Sequence, residues 1–289
     1  MTAPLNWNRD GYDWPHRDAS RFITASGLRW HVQIMGEGPP LLLVHGTGAA
    51  THSWRGLAPL LAKQFTLVAP DLPGHGFTTT PANQGASLSG MARSLRGLLD
   101  VLAIEPYGVV GHSAGAALLA RMCLDGLLQP RCFISLNGAL LPLRGLPGQV
   151  FLPMARLLVL NPLVPWLFAW RAGDKTALQR LIDSTGSKLD AQGQTFYARL
   201  VANPTHVAGV LKMMANWDLR PLQRDLSHLS VPTTLVVARN DRTLPPDEAL
   251  RIRALLPSAR LVVLRGVGHL AHEEQPSTVA QLIVDACKK

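Results

Sequence analysis

Gly108-Val109-Val110-Gly111-His112-Ser113-Ala114-Gly115 starts as a short apolar strand, turns on glycine, and enters Ala114 to Asp125, which reads as a helix. A serine held between two glycines at a strand-to-helix turn has the form of a nucleophile elbow, G-x-S-x-G. Gly111 and Gly115 suit it because the turn strains the serine backbone and leaves no room for neighbouring side chains. Ser113 is then presented at the carboxyl end of its strand, where clefts form in open α/β sheets.

Outward from this turn the chain alternates short apolar runs with amphipathic stretches. A hairpin is expected first, Arg21 to Ala25 and Leu28 to Met35, around Ser26-Gly27. Further strands are expected at Leu41 to Val44, Thr66 to Ala69, Gly108 to Val110, Cys132 to Leu136, Thr234 to Val237 and Leu261 to Leu264. Runs this short and this rich in Val, Leu and Ile suit a parallel sheet buried on both faces. Helices are expected at Trp54 to Lys63, Ser89 to Leu102, Ala114 to Asp125, Asp247 to Leu256 and Ser277 to Cys287. The fold class is therefore α/β, a doubly wound and mostly parallel sheet of eight strands with helices on both faces. Between Ala139 and Arg220 no strand signal appears, and Leu, Pro, Trp and Met recur at helical spacing, which predicts a helical cap. Residues 1–138 and 221–289 would then form the core and 139–220 the lid. The insertion carries nine Lys or Arg against four Asp, more than half of the chain's net charge of +9.

A serine hydroxyl is a weak nucleophile at neutral pH and needs an imidazole base, itself oriented by a carboxylate. In the order Ser, acid, His, the acid falls just after a late strand, at Asp241, and the base in the loop after the last strand, at His269. His272 is the competing base. Two backbone N–H groups must also face the developing oxyanion. Ala114, directly after the serine, offers one, and Thr47 in His45-Gly46-Thr47-Gly48 the other. His45 and Trp54 read as packing beneath that loop, and Asp71-Leu72-Pro73-Gly74-His75-Gly76 as a structured turn. Trp166, Trp170, Met213 and Trp217, with Leu157, Leu158 and Val159, supply the apolar side chains of a substrate pocket.

Composition narrows the alternatives. In 289 residues, 47% are apolar and 16% charged, which specifies a substantial core and excludes disorder. The three cysteines, Cys123, Cys132 and Cys287, show no metal-like spacing and are expected as separate buried thiols in a reducing compartment. The ten histidines lack HExxH-type spacing, so neither a catalytic metal nor another cofactor is expected. The basic residues are scattered and no nucleic-acid-binding motif accompanies them, so nucleic acid is not an expected partner. The first residues lack the apolar core of a secretory signal, and Pro162 and Pro165 break the longest apolar run, Leu157 to Trp170. A cytoplasmic location is expected, with weak membrane-surface contact through Arg156 to Arg171.

Together HGTGAATHSW, DLPGHG, GHSAG, Asp241 and the GVGH loop resemble the α/β-hydrolase superfamily from about Ser20 to Ala286. The resemblance implies the eight-stranded α/β-hydrolase fold with a cap after the sixth strand, and Ser113, Asp241 and His269 as a catalytic triad. A serine at the elbow disfavours dehalogenase and epoxide-hydrolase chemistry, which use a carboxylate nucleophile. More narrowly, NWNRDGYDWPHRDASRF, LRWHVQIMGEGPPLLLVHGTGAATHSWR and LVAPDLPGHGFT look like the magnesium-chelatase accessory proteins of bacteriochlorophyll biosynthesis. Two functions are compatible with these features. One is hydrolysis of a small apolar ester or related acyl substrate. The other is an accessory role in which the basic, aromatic lid binds a tetrapyrrole or docks on magnesium-chelatase subunits.

Overall fold

The computed structural model describes residues 4–142, 161, 163–172 and 175–288. Eight strands form one sheet: β1 Ser20–Ala25, β2 Leu28–Met35, β3 Pro40–Val44, β4 Thr66–Pro70, β5 Gly108–His112, β6 Cys132–Leu136, β7 Thr233–Ala238 and β8 Arg260–Leu264. Their order is β1-β2-β4-β3-β5-β6-β7-β8. The pairs β1/β2 and β2/β4 are antiparallel and the other five are parallel.

The central strands are apolar along most of their length because both faces are covered, and side chains alternate between the two sides. Leu42, Val44, Val68, Val109, Phe133 and Leu235 pack on one face with the helices Leu88–Leu102 and Ala114–Leu124. Leu41, Leu43, Leu67, Val110, Ile134 and Val236 pack on the other with the helix Pro276–Cys287. The helix Leu88–Leu102 buries Leu88, Met91, Ala92, Leu95, Leu98 and Leu99, a spacing that puts one stripe on the sheet. Ser87 caps it by accepting the N–H of Gly90, and the helix stops where Ala103 turns left-handed, φ 53°.

The helix expected from Trp54 to Lys63 is broken into a 3₁₀ turn, Thr51–Trp54, and one α turn, Ala58–Leu61. Gly56 lies between them against Pro276, and Pro59 admits a new helix start but no continuation of the old one. Between β6 and β7 the described elements are all helical: Val164–Ala172, Lys175–Ser184, Ala191–Val201, Pro204–Asn216, Arg220–Asp225 and the 3₁₀ turn Leu226–His228. Leu157, Leu158 and Val159 lie outside the described residues, as does the side chain of Trp170.

The cysteine expectation needs correction. Cys132, opening β6, and Cys287, ending the last helix, have Cα atoms 5.6 Å apart and form a disulfide. Their 155-residue separation hid a pairing created where the last helix packs across the start of the interior strand β6, and the compartment inference drawn from unpaired thiols falls with it. Cys123 alone is free, and burial pushes its thiol up to about 12.

The N-terminal segment is bound to the core. Trp7 packs on Phe22, His31 and Phe77, and Trp14 on His52, Phe77 and Phe196, the last from the helix Ala191–Val201. Below this aromatic layer His31 bridges Ser20 Oγ at 2.9 Å and Asp71 Oδ2 at 2.8 Å. The N–H groups of Thr51 and Phe77 also donate to Asp71, at 2.7 and 2.9 Å. Burial alone would raise the Asp71 carboxyl, but His31 and these N–H groups hold it well below the usual carboxylate range. The turn Asp71 to Gly76 is thus a buried anchor.

A depressed carboxyl contributes stability above its ordinary value of 3.8, and the contribution is lost as pH falls. Asp71→Asn is expected to cost about 3–5 kcal/mol at pH 7. In urea titrations the gap from wild type should narrow once the pH drops below 3.8.

Candidate active site

Ser113 has φ 51° and ψ −118°, between β5 and the helix Ala114–Leu124. A side chain at Gly111 would meet the backbone of Ala116 at 2.5 Å, and one at Gly115 would meet the carbonyl oxygens of Val44 and His45. The turn is held by Ser113 N–H to Leu136 O and Ala139 N–H to Ser113 O, each 3.0 Å. The helix start is therefore pressed onto the carboxyl ends of β3 and β6.

The loop after β3 lies against the same serine. A Cβ on Gly46 would come within 2.9 Å of Ser113 Cβ and of His112 Nδ1, and Gly48 has φ 78°. His45 fixes this loop from below: its Nδ1–H donates to Gly46 O and its Nε2 accepts the N–H of Leu72, both at 2.8 Å. That arrangement is a neutral imidazole, in keeping with burial lowering its pKa. Thr47 and Ala114 line the cavity beside Ser113.

Asp241 follows β7 and His269 follows β8, and His269 Nδ1 meets Asp241 Oδ2 at 2.7 Å. The other carboxylate oxygen accepts the N–H groups of Thr243 and Leu244, each at 2.8 Å, so the anion has three donors. His269 lines the cavity with Ser113. Ser113 Oγ makes no hydrogen bond to a described residue; such contacts commonly tighten only when substrate is bound. His272, the competing base, is 1% exposed, packed between Trp54 and His112, and pushed down by burial to about 3.

Two further residues shape the site. Asn137, left-handed at φ 43° after β6, accepts the N–H of Ala238 through Oδ1 at 2.8 Å. Its Nδ2 donates to Gly268 O and His269 O, at 3.1 and 2.8 Å, so one side amide ties the end of β7 to the histidine loop. His112 Nε2–H also donates to His269 O, at 2.9 Å, and burial keeps that imidazole neutral. Asn137 carried only the weak signal of Asn-Gly after an apolar strand.

The cavity has a volume of about 1020 Å³ and reaches under the cap helices, where Leu178, Ile182, Val210, Leu211, Met213 and Trp217 form its wall. Met213 is fully buried. Trp166 is 57% exposed and stands outside this wall, because the helix Val164–Ala172 turns that position to solvent. Among the described residues no group of three or more His, Cys, Asp or Glu gathers as for a metal ion. No described helix is long and apolar enough to cross a membrane.

A family described as alpha/beta hydrolase fold matches residues 39–276. The chain belongs to the α/β-hydrolase family. It is 36% identical to the magnesium-chelatase 30 kDa subunit of Rhodobacter capsulatus, covering 94% of this chain and 96% of that protein. It is 26% identical to a 2-hydroxy-6-oxononadienedioate/2-hydroxy-6-oxononatrienedioate hydrolase of Comamonas testosteroni, over 92% and 95% of the two chains. Among solved structures, an alpha/beta hydrolase fold protein from Burkholderia ambifaria superposes with TM-score 0.74 at 22% identity, over 92% of this chain and 99% of that one. That last likeness is one of fold.

Beside the cavity, Tyr197 Oη–H donates to Glu273 Oε1 at 2.8 Å, and Arg55 joins Glu273 to Asp190, the latter at 2.8 Å. Burial pushes the Glu273 carboxyl up to about 7, with Arg55 and Tyr197 opposing. A raised carboxyl binds its proton in the folded state after the unfolded chain has lost it, so stability declines from pH 4.5 to about 7 and levels above. Urea midpoints of wild type should show this decline relative to Glu273→Gln across that interval, and parallel curves would contradict it.

Proposed function

We propose that this α/β hydrolase is a serine hydrolase of an apolar ester or related acyl substrate, acting beside magnesium chelatase in bacteriochlorophyll biosynthesis. The observation carrying the chemistry is the Asp241–His269 hydrogen bond of 2.7 Å at the wall of a cavity that also holds Ser113. His269 Nε2 takes the proton of Ser113 Oγ as the oxygen attacks the substrate carbonyl. Asp241, accepting from Nδ1–H, keeps the imidazole in the required tautomer and stabilises its charged form. The N–H groups of Thr47 and Ala114 receive the oxyanion. His269 then protonates the leaving group, and a water deprotonated by the same imidazole releases the acyl group from Ser113.

Residues 139–220 act as a lid over the core of 1–138 and 221–289, with Met213 and Trp217, which line the cavity, contacting the acyl portion. A cavity of about 1020 Å³ lies at the upper end of the range for small-molecule sites, which supports a bulky substrate. The pathway assignment is supported by the likeness to the Rhodobacter capsulatus subunit.

A second reading is favoured by that same likeness together with the cavity's size: a non-catalytic accessory protein that binds a tetrapyrrole or docks on chelatase subunits. The protein is proposed to be cytoplasmic in both readings, with weak peripheral membrane contact through the stretch Arg156 to Arg171, in which Leu163, Trp166 and Leu167 are more than half exposed.

Ser113→Ala is expected to lower the kcat for p-nitrophenyl esters by at least about 10⁴-fold and to leave pigment synthesis unrestored in a deletion strain. Restoration by Ser113→Ala would favour the accessory reading. Thr47→Ala keeps the backbone N–H and should leave kcat within about threefold, whereas Gly46→Ala, which drives a methyl into Ser113 and His112, should cost about 10²–10³ in kcat.

A further inference from the structure

The turn between the helices Lys175–Ser184 and Ala191–Val201 lies against both loops that carry the acid and the base. Thr185 O accepts the N–H of His269 and that of Arg242, each at 3.2 Å. Ser187 Oγ accepts the N–H of Leu270 at 2.8 Å. Glu274 spans the contact from the other side, accepting Gly268 N–H at 2.8 Å and Lys188 N–H at 3.1 Å. The backbones touch directly as well. Gly186, at φ 77°, abuts Asn240 O, and a side chain on Gly268 would collide with the backbone of Gly186 and Ser187.

These contacts exceed what a surface turn needs. Ser187 is 1% exposed although its hydroxyl is polar, and its side-chain oxygen is spent on a residue 83 positions away. The strap is itself rigid: Thr185 Oγ1 donates to Ile182 O at 2.6 Å and accepts Ser187 N–H at 3.3 Å. Ser184 and Thr185 also line the cavity, so a ligand there presses on the element that holds the imidazole.

We infer that residues 185–188 are a positioning strap through which the cap sets His269 against Asp241, with Ser187 as its key side chain and Glu274 as its clasp. The inference rests on the proposed role of His269 as base. An imidazole must keep two partners aligned at once, and a displacement of an ångström at such a group costs on the order of 10²-fold in rate. The strap accepts two consecutive backbone N–H groups, those of His269 and Leu270, and Glu274, which receives the N–H of Lys188 in the strap, accepts that of Gly268.

The test compares Ser187→Ala, Ser187→Thr and Glu274→Gln in the full chain, reading p-nitrophenyl butyrate kinetics and amide hydrogen exchange. Ser187→Ala should lower kcat about 10- to 100-fold with KM within about twofold, and exchange at residues 268–270 should quicken more than exchange in the central strands, the urea midpoint falling only modestly for the one buried N–H left without its acceptor. Ser187→Thr, which retains the hydroxyl, should recover most of the rate. Glu274→Gln keeps one of two acceptors, so it should give a smaller loss and serves if Ser187→Ala does not fold. In a His269→Ala background Ser187→Ala should have no further effect. An equal loss in that background, or unchanged exchange at 268–270, overturns the strap. If wild-type hydrolysis is insensitive to Ser113→Ala, the hydrolase reading fails by itself and exchange alone decides the strap.

Discussion

The approach of the helix Ala114–Leu124 to the carboxyl ends of the strands governs the rest of the molecule. Gly115 rests on the carbonyl oxygens of Val44 and His45, a separation no side chain permits. That contact forces Ser113 into a left-handed φ and lifts its side chain toward the cavity. It also brings the N–H of Ala114 and the Gly46–Gly48 loop to the same point, since the loop is the continuation of the strand on which the helix rests. Strain at one residue is tolerated because β3, β5 and β6 around it are almost entirely buried and tightly covered.

Around this turn the protein surrounds its few charges with neutral donors. His45 and His112 are kept uncharged by burial and act as rigid hydrogen-bonding wedges under the loops. Asn137 joins the end of β7 to the carbonyl groups of Gly268 and His269. The carboxylate of Asp241 is satisfied by two backbone N–H groups and one imidazole. In a wall made chiefly of Leu, Ile, Val and Met, such fixed dipoles act at low dielectric, where they are stronger than in water. Another serine, histidine and aspartate, Ser20, His31 and Asp71, are joined by two hydrogen bonds, but they are packed beneath Trp7, Phe22 and Phe77 and anchor the N-terminal segment.

The sheet was legible because its central strands are short, nearly continuous apolar runs, and because glycine marks the turn at Ser113. The meeting of Asp241 with His269 could be expected because each follows a strand whose place was already clear. What stayed hidden depends on contacts distant in sequence. The Cys132–Cys287 bridge spans 155 residues, and Asn137 reaches 131 and 132 residues to its acceptors. Asp71 looked like an ordinary turn residue, since its partners come from β2 and the segment Thr51–Trp54. Periodicity gave the cap helices but not their rotation, so Met213 and Trp217 reach the cavity while Trp166 faces solvent. The positive excess of the insertion was visible, but not that Arg199 is engaged by Asp13 or Lys212 by Pro81 O.

The central claim is that Ser113 behaves as an activated nucleophile in this setting. It is tested most directly by treating the folded protein with a fluorophosphonate and mapping the adduct by peptide mass spectrometry. The account predicts one phosphonyl group per chain, on Ser113, with labelling abolished in His269→Ala. An unlabelled protein, or an adduct on Ser20 with Ser113 unmodified, would contradict it.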